Sequence, residues 1–206
     1  MLVPGYRGMA KRFAKLANEN ACVTFLPTGP WAKRDFLTVG VKSEKLADWG
    51  YFVSPSVSKT PRQARKADAL SVLWVGRDIG WKRTGDIEKA VASVARRSAV
   101  TFTKLTSGTL DEVREAMRRH DLYVLASDAT EGWGAALNEA LEEGMSAVGT
   151  FEAGSSAAML PKERLYHAGD WKALARLIER ELRGELPPCS IGGWTAATAA
   201  ERLLAT

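Results

Sequence analysis

Three segments of this 206-residue chain carry side chains suited to binding chemistry. In Gly76-Arg77-Asp78-Ile79-Gly80-Trp81-Lys82, two cations stand five positions apart across a turn. A guanidinium fork beside an ammonium point charge can clamp a diphosphate; two solvated surface cations would carry the same spacing. The second segment, Ser127-Asp128-Ala129-Thr130-Glu131-Gly132-Trp133-Gly134, leads into an apolar-striped run at 135–143. Its glycines let the backbone approach a ligand closely, and free N–H groups at a helix start attract anionic oxygens. Glu131 precedes that run and Glu139 lies eight residues later. Eight helical residues rise about 12 Å, the scale separating hexose from ribose in a nucleotide sugar. One carboxylate would then accept from sugar hydroxyls and the other from ribose hydroxyls. The alternative leaves Glu131 favouring a helix start electrostatically and Glu139 on a solvated face, opposite the Leu137 and Leu141 stripe. The third segment, Val148-Gly149-Thr150-Phe151-Glu152-Ala153-Gly154-Ser155-Ser156, suits phosphate or sugar approach without being specific for either.

These residues need elements to hold them, and from residue 71 the pattern alternates. SVLWV (71–75), AVTFTKL (99–105), LYVLA (122–126), SAVGT (146–150) and RLYHA (164–168) read as strands. Residues 83–97, 110–119, 134–143, 170–183 and 193–204 show helical spacing, for example Ile87, Val91 and Val94 on one face. Strands alternating with helices predict an α/β fold, a doubly wound parallel sheet of Rossmann-like type. In such a sheet ligands sit beyond the carboxyl ends of the strands, where the three segments lie. Upstream, residues 9–17 read as a basic amphipathic helix, 22–26 as a strand, 31–37 as a helix and 51–53 as a further strand. The stretch SPSVSKTPRQARKAD (54–68) has linker composition. One strand and two helices bury too little surface for a separate full domain, so residues 1–53 must lean on the rest, lean on another chain, or stay partly loose.

Composition narrows the class. Apolar residues make up 46% and charged residues 26%, ordinary globular values. No apolar run of spanning length and no leader-like start occur, which points to a cytoplasmic chain. Cys22 and Cys189 are isolated, and His120 and His167 follow no ligand spacing, so no metal is implied. Residues 1–67 hold twelve Lys/Arg against four Asp/Glu, whereas the remainder holds 17 against 20. The basic N-terminal segment thus suits an anionic neighbour, including peripheral contact with an acidic membrane. Trp and Tyr are not interleaved with those cations as stacking platforms, so nucleic acid is not expected.

Together the segments resemble the C-terminal domain of the family-4 retaining glycosyltransferases, which have the GT-B fold. VGRDIGWK (75–82) is similar to the family's Gly-Arg element with Lys five steps on, and SDATEGWGAALNEALEEGMSAVGT (127–150) to its Glu-x7-Glu segment. LYHAGDWKALARLIERELRG (165–184) resembles its closing strand and helix, and WAKRDFLTVGVKSEKLADWGYFV (31–53) the end of its N-terminal domain. The resemblance implies hexosyl transfer from a UDP- or GDP-linked sugar to a glycan or lipid-linked acceptor, with retention and without a metal or other cofactor. It implies that Arg77 and Lys82, after Gly76, contact the donor diphosphate and that Glu139 binds the ribose. Glu131, with the amides of Gly132, Trp133, Gly134 and Ala135, would hold the sugar and nearby phosphate. Leu105 and Thr106 would edge the base. Arg77, Lys82 and Glu131 would be the catalytic set, through electrostatic stabilisation of the leaving group.

The implied domains are a remnant of the N-terminal domain (1–53), a linker (54–70) and the nucleotide-sugar-binding domain (71–206). Two departures stand out. The family's paired glycines followed by an acidic residue are replaced by Ala153-Gly154-Ser155-Ser156-Ala157, and its full N-terminal domain is represented by about 50 residues. A partner chain supplying that domain is therefore an expected partner beside the donor. A non-catalytic nucleotide-sugar-binding module is the competing class.

Overall fold

A computed structural model describes residues 4–55, 65 and 68–205. Five strands, β1 (Ala69–Val75), β2 (Ala99–Leu105), β3 (Leu122–Leu125), β4 (Ser146–Thr150) and β5 (Leu165–Tyr166), form one sheet. Their order is β2-β1-β3-β4-β5, and every neighbouring pair is parallel. The predicted doubly wound α/β sheet is therefore the fold. Side chains alternate across β1, so Leu70, Val72 and Trp74 enter one core while Leu73 enters the other. The first core is closed by Ile87, Val91 and Val94 of α3 (Thr84–Ala95) and by Leu174 and Ile178 of α7 (Trp171–Leu182). The second is closed by Met117 of α4 (Leu110–Arg119) and by Leu137 and Leu141 of α5 (Ala136–Glu142). With both faces covered, β3 is buried along its whole length, as an inner parallel strand should be.

Local chemistry sets the helix starts. Thr109 and Glu112 form a reciprocal capping box at α4, and the Asp170 carboxylate accepts from Ala173 N–H at 2.8 Å to open α7. The predicted helix at 134–143 begins only at Ala136, because Gly134 takes a left-handed backbone (φ 93°).

The N-terminal residues differ more from expectation. The helices are present as α1 (Pro4–Glu19) and α2 (Gly29–Thr38). The strands predicted at 22–26 and 51–53 are reduced to isolated bridges, Phe25 with Leu46 and Val53 with Thr195. Their sequences suit a strand, but a ladder needs neighbouring strands, and none lies beside them among the described residues. The phenylalanines are nevertheless packed: Phe25 lies 5.5 Å from Phe13 and 5.1 Å from Phe36, while Phe52 lies 4.8 Å from Trp49 and 5.4 Å from Trp194. The exposed large apolar side chains of this segment are Met9, Phe13 and Leu16 on α1, with Leu37 and Tyr51. Of the linker segment 54–70, residues 56–64 and 66–67 lie outside the described residues, and Ala69 and Leu70 belong to β1. Among the described residues, no helix is long and apolar enough to cross a membrane.

Candidate functional site

The chain leaves β1 to one side to form β2, then crosses over to place β3 on the other side of β1. That reversal creates a crevice between the carboxyl ends of β1 and β3, the usual ligand position in open α/β sheets. Leu73 pairs with Tyr123, so the two strands end in step and their loops leave side by side. These loops are residues 76–83 and 126–135, two of the three segments singled out in the sequence. A backbone bond from Asp128 N–H to Trp81 O (3.0 Å) ties one to the other.

Lys82 and Glu131 meet in this crevice as a hydrogen-bonded ion pair, with side chains only 18% and 11% exposed. The Lys82 ammonium also lies 4.5 Å from the centre of the Trp81 ring. Glu131 accepts a second bond from Ser127 Oγ at 3.0 Å. Ser127 is wholly buried, and its carbonyl accepts from Thr150 Oγ1 at 2.5 Å. Arg77 stands just beyond β1 at the same edge, exposed, its carbonyl accepting from Ile79 N–H at 3.0 Å and its side chain making no ion pair or hydrogen bond among the described residues. Two of the three convergent residues thus touch, and the third projects from the rim.

Gly76 N–H donates to Leu105 O at 3.0 Å, which sets Leu105, partly buried, and Thr106, exposed, beside the start of the first loop. Among the described residues, none of the N–H groups of Gly132, Trp133, Gly134 and Ala135 donates to a protein acceptor. Gly134 is required here: an added Cβ would lie 2.8 Å from Leu125 Cδ2, on a backbone that side chains rarely adopt. The Trp133 indole points away from the crevice. It is buried, donates to Asn138 Oδ1 at 2.7 Å and packs 4.9 Å from Trp194.

Glu139, in the first turn of α5, is half-buried rather than solvated. Burial pushes its carboxyl above the ordinary value, with Arg114 pulling the other way. Because the helix starts at Ala136, the simple helical rise from Glu131 to Glu139 does not apply. Ser155 and Ser156 of the third segment, in α6 (Gly154–Met159), are wholly buried and engaged. Ser155 Oγ donates to Gly134 O at 3.1 Å, and Ser156 Oγ to Thr150 O at 2.5 Å. They brace the crevice rather than line it.

Sequence reasoning passed over Arg83. It caps α3 in the left-handed region at φ 52°, the single non-glycine residue there among the described residues. Its Nε donates to Asp86 Oδ2 at 2.7 Å. No glycine or asparagine marked the turn, so its sequence held no signal. Ser127 was equally unmarked, although a hydroxyl at the end of a buried strand is a usable clue. Among the described residues, no group of three or more His, Cys, Asp or Glu is placed to hold a metal.

The family described as "Glycosyl transferases group 1" matches residues 35–183. Among solved structures, the lipopolysaccharide outer core galactosyltransferase WaaB (apo form) is 17% identical, with a TM-score of 0.69 over 88% of this chain and 62% of that one. HepE of Anabaena in complex with UDP is 17% identical, with a TM-score of 0.63 over 98% of this chain and 65% of that one. A mutant of S. aureus TarM in complex with Fondaparinux, alpha-GlcNAc-glycerol and UDP is 13% identical, with a TM-score of 0.62 over 95% and 43%. The chain therefore spans between about two fifths and two thirds of these structures' lengths. Curated proteins return no match.

Proposed function

The chain belongs to the group 1 glycosyl transferases, and from that premise we propose that its crevice binds a nucleotide-diphosphate sugar for hexosyl transfer. The observation carrying this reading is the meeting of Lys82 and Glu131 at the β1/β3 reversal. Arg77 and Lys82 hold the diphosphate, and the free amides from Gly132 to Ala135 add donors at the same place. Glu139 accepts from the ribose, Glu131 from the sugar, and Leu105 and Thr106 border the base. UDP is the nucleotide most worth testing, since it is the one bound in the HepE and TarM structures; a GDP-linked donor remains within the proposal.

In the mechanism, leaving-group charge is stabilised by Lys82, Arg77 and backbone N–H groups in a partly dehydrated crevice. Before the donor arrives, Glu131 occupies Lys82. The diphosphate takes over the ammonium, and the released carboxylate becomes available to sugar hydroxyls. The proposal includes retention of anomeric configuration, as in family 4, and a glycan or lipid-linked acceptor. It also includes the division into residues 1–53, 54–70 and 71–206, with another lobe completing the acceptor side.

The decisive experiment is calorimetric titration of the chain with UDP, GDP and their glucose conjugates, beside an Arg77→Ala/Lys82→Ala variant. A loss of at least about tenfold in nucleotide affinity is expected, since each charge-assisted phosphate contact contributes about 1.5–3 kcal/mol. Equal affinity in the variant would remove the diphosphate clamp. A binding module without transfer would show the same titrations but no product with the completing lobe added.

A further inference from the structure

A buried charge network joins α4 to α5, apart from the crevice where Lys82 meets Glu131. Arg114 and Arg118 project from α4 with side chains 13% and 10% exposed, and both face Glu143, just after α5, which is 4% exposed. Arg118 Nη1 donates to Glu143 Oε2 at 2.8 Å, while its Nε and Nη2 donate to Glu115 Oε2 at 3.1 and 2.9 Å. Arg114 Nε stops 3.7 Å from Glu143 Oε1, an ion pair without a hydrogen bond. Its Nη2 reaches the start of the linker, donating to Ser54 O at 3.4 Å. Glu143 is thus already matched by the hydrogen-bonded guanidinium of Arg118. A second covered cation is costly unless another carboxylate answers it.

The carboxylate that answers it is Glu139. It stands one helical turn before Glu143, whose N–H donates to Glu139 O at 3.0 Å. Side chains four residues apart on a helix are neighbours, about 5–6 Å apart at Cβ, so Glu139 flanks the same guanidinium. Burial pushes the Glu139 carboxyl up, and the Arg114 charge opposes that rise. The remaining surroundings supply no second cation. Of the elements packed on α5, β4 and α6 carry no titratable side chain. From β3 comes Tyr123, whose buried hydroxyl makes no hydrogen bond among the described residues. Burial first, and then the charges of Glu131 and Glu139, push that hydroxyl far up, so it stays neutral. On α5 itself Glu142, and just beyond it Glu143, add only negative charge.

We infer that Arg114 is a positioning residue of the donor site: anchored on Glu143, it holds the Glu139 carboxylate as the acceptor for the ribose hydroxyls. The inference rests on the proposed function in assigning Glu139 to the ribose. Arg114 acts through Glu139 and not on the donor. A carboxylate accepts through both oxygens, whereas a protonated carboxyl keeps a proton on one of them. Removing the cation therefore weakens the ribose contact by favouring the protonated form.

The test uses the whole chain with Arg114→Gln, Arg114→Lys, Glu139→Gln and the double variant Arg114→Gln/Glu139→Gln. Carbon-13 NMR of the glutamate carboxyls reads the titration midpoint of Glu139. Calorimetry with UDP and 2′,3′-dideoxy-UDP reads the contribution of the ribose hydroxyls. Arg114→Gln should raise the Glu139 midpoint, and Arg114→Lys, which keeps the charge, should raise it less. The neutral-pH preference for UDP over its dideoxy analogue should fall at least about threefold in Arg114→Gln. Adding Arg114→Gln to Glu139→Gln should change that preference no further, the mark of an effect that runs through Glu139. In the wild type the Arg114 Nε resonance should shift with the same midpoint as Glu139, a reading that needs no variant to fold. A wild-type Arg114 resonance without that step would overturn the inference. So would an unmoved Glu139 midpoint or an undiminished preference in Arg114→Gln, or a further loss in the double variant. A wild type that binds UDP and dideoxy-UDP equally would instead defeat the ribose assignment, and the two NMR readings would still decide whether Arg114 sets the charge of Glu139.

Discussion

Removing Lys82 tests the crevice most directly, because its ion pair with Glu131 is both the structural joint and the proposed binding element. At an effective dielectric near 20, unit charges about 4 Å apart attract by about 4 kcal/mol. Much of that is offset by desolvation, since both side chains are mostly covered. Stripping one partner from a fully buried pair costs about 3–5 kcal/mol. Here Ser127 Oγ still donates to Glu131 at 3.0 Å, so Lys82→Met should cost less, about 1–3 kcal/mol. Glu131→Gln should cost less again, because the freed lysine stem can carry its ammonium to water. The double variant should lose less than the two single losses added, the mark of direct coupling. Urea unfolding reads all three as midpoint shifts at constant slope. Titration with UDP then separates structure from function: Lys82→Met weakens binding about tenfold. Glu131→Gln strengthens it, because the diphosphate no longer competes with a carboxylate for the ammonium. Equal urea midpoints for Lys82→Met and wild type, or strictly additive losses, would refute the buried coupling. Unchanged UDP affinity in Lys82→Met would refute the competition.

Arg77→Ala should leave urea stability within about 0.5 kcal/mol of wild type, since the side chain is exposed. It should nonetheless weaken UDP binding about tenfold at low salt, by less as salt rises. Gly134→Ala combines left-handed strain of about 1–2 kcal/mol with overpacking against Leu125 of about 1–3 kcal/mol, and urea unfolding should register the loss. Glu139 has a folded-state pKa raised by burial, so its ionised form opposes folding. Stability from this group is therefore present at low pH and is lost as pH rises through the window from the unfolded to the folded pKa. Glu139→Gln should accordingly be more stable than wild type at neutral pH by thermal unfolding, and the gain should vanish on acidification. The same variant should bind UDP more weakly at neutral pH by titration.

How far the fold could be read depended on where each element finds its partners. SVLWV ends at a glycine and reads as a buried strand without help; its extension back to Ala69 follows only from pairing with Ala99 in β2. CVTFL has the same apolar, β-branched character, yet Phe25 makes one bridge and no ladder. A strand's existence depends on what lies beside it, and residue order does not carry that. The site shows the same division. Glu131 and Lys82 were visible as candidates, but their contact spans 49 positions and follows from the order β2-β1-β3, which alternation alone does not fix. Arg83 was invisible because its turn uses a residue type that ordinarily avoids a left-handed backbone.

Trp133 shows why the N-terminal residues cannot be separated from the crevice. Its backbone amide lies in the loop that bears Glu131, but its side chain carries the stronger constraint. A Cβ on Gly50 would fall 2.2 Å from the Trp133 ring, and one on Gly29 would fall 3.3 Å away. These two glycines admit the indole between the N-terminal segment and the sheet. Asn138 then joins the two parts, accepting from Trp133 Nε1 at 2.7 Å and donating to Tyr51 O at 2.9 Å. On the far side, α8 (Ala196–Leu204) closes the cluster: Trp194, just before it, packs on Trp133 and Phe52, and Ala196 N–H donates to Val53 O at 3.1 Å. The loop bearing Glu131 is thus positioned by residues from both ends of the chain. Close-packed interiors transmit such constraints because they leave no slack. Whatever moves the segment around Gly50 must also shift Trp133, and with it the amides from Gly132 to Ala135. The short N-terminal segment thus supports, from behind the Trp133 side chain, the loop that bears Glu131.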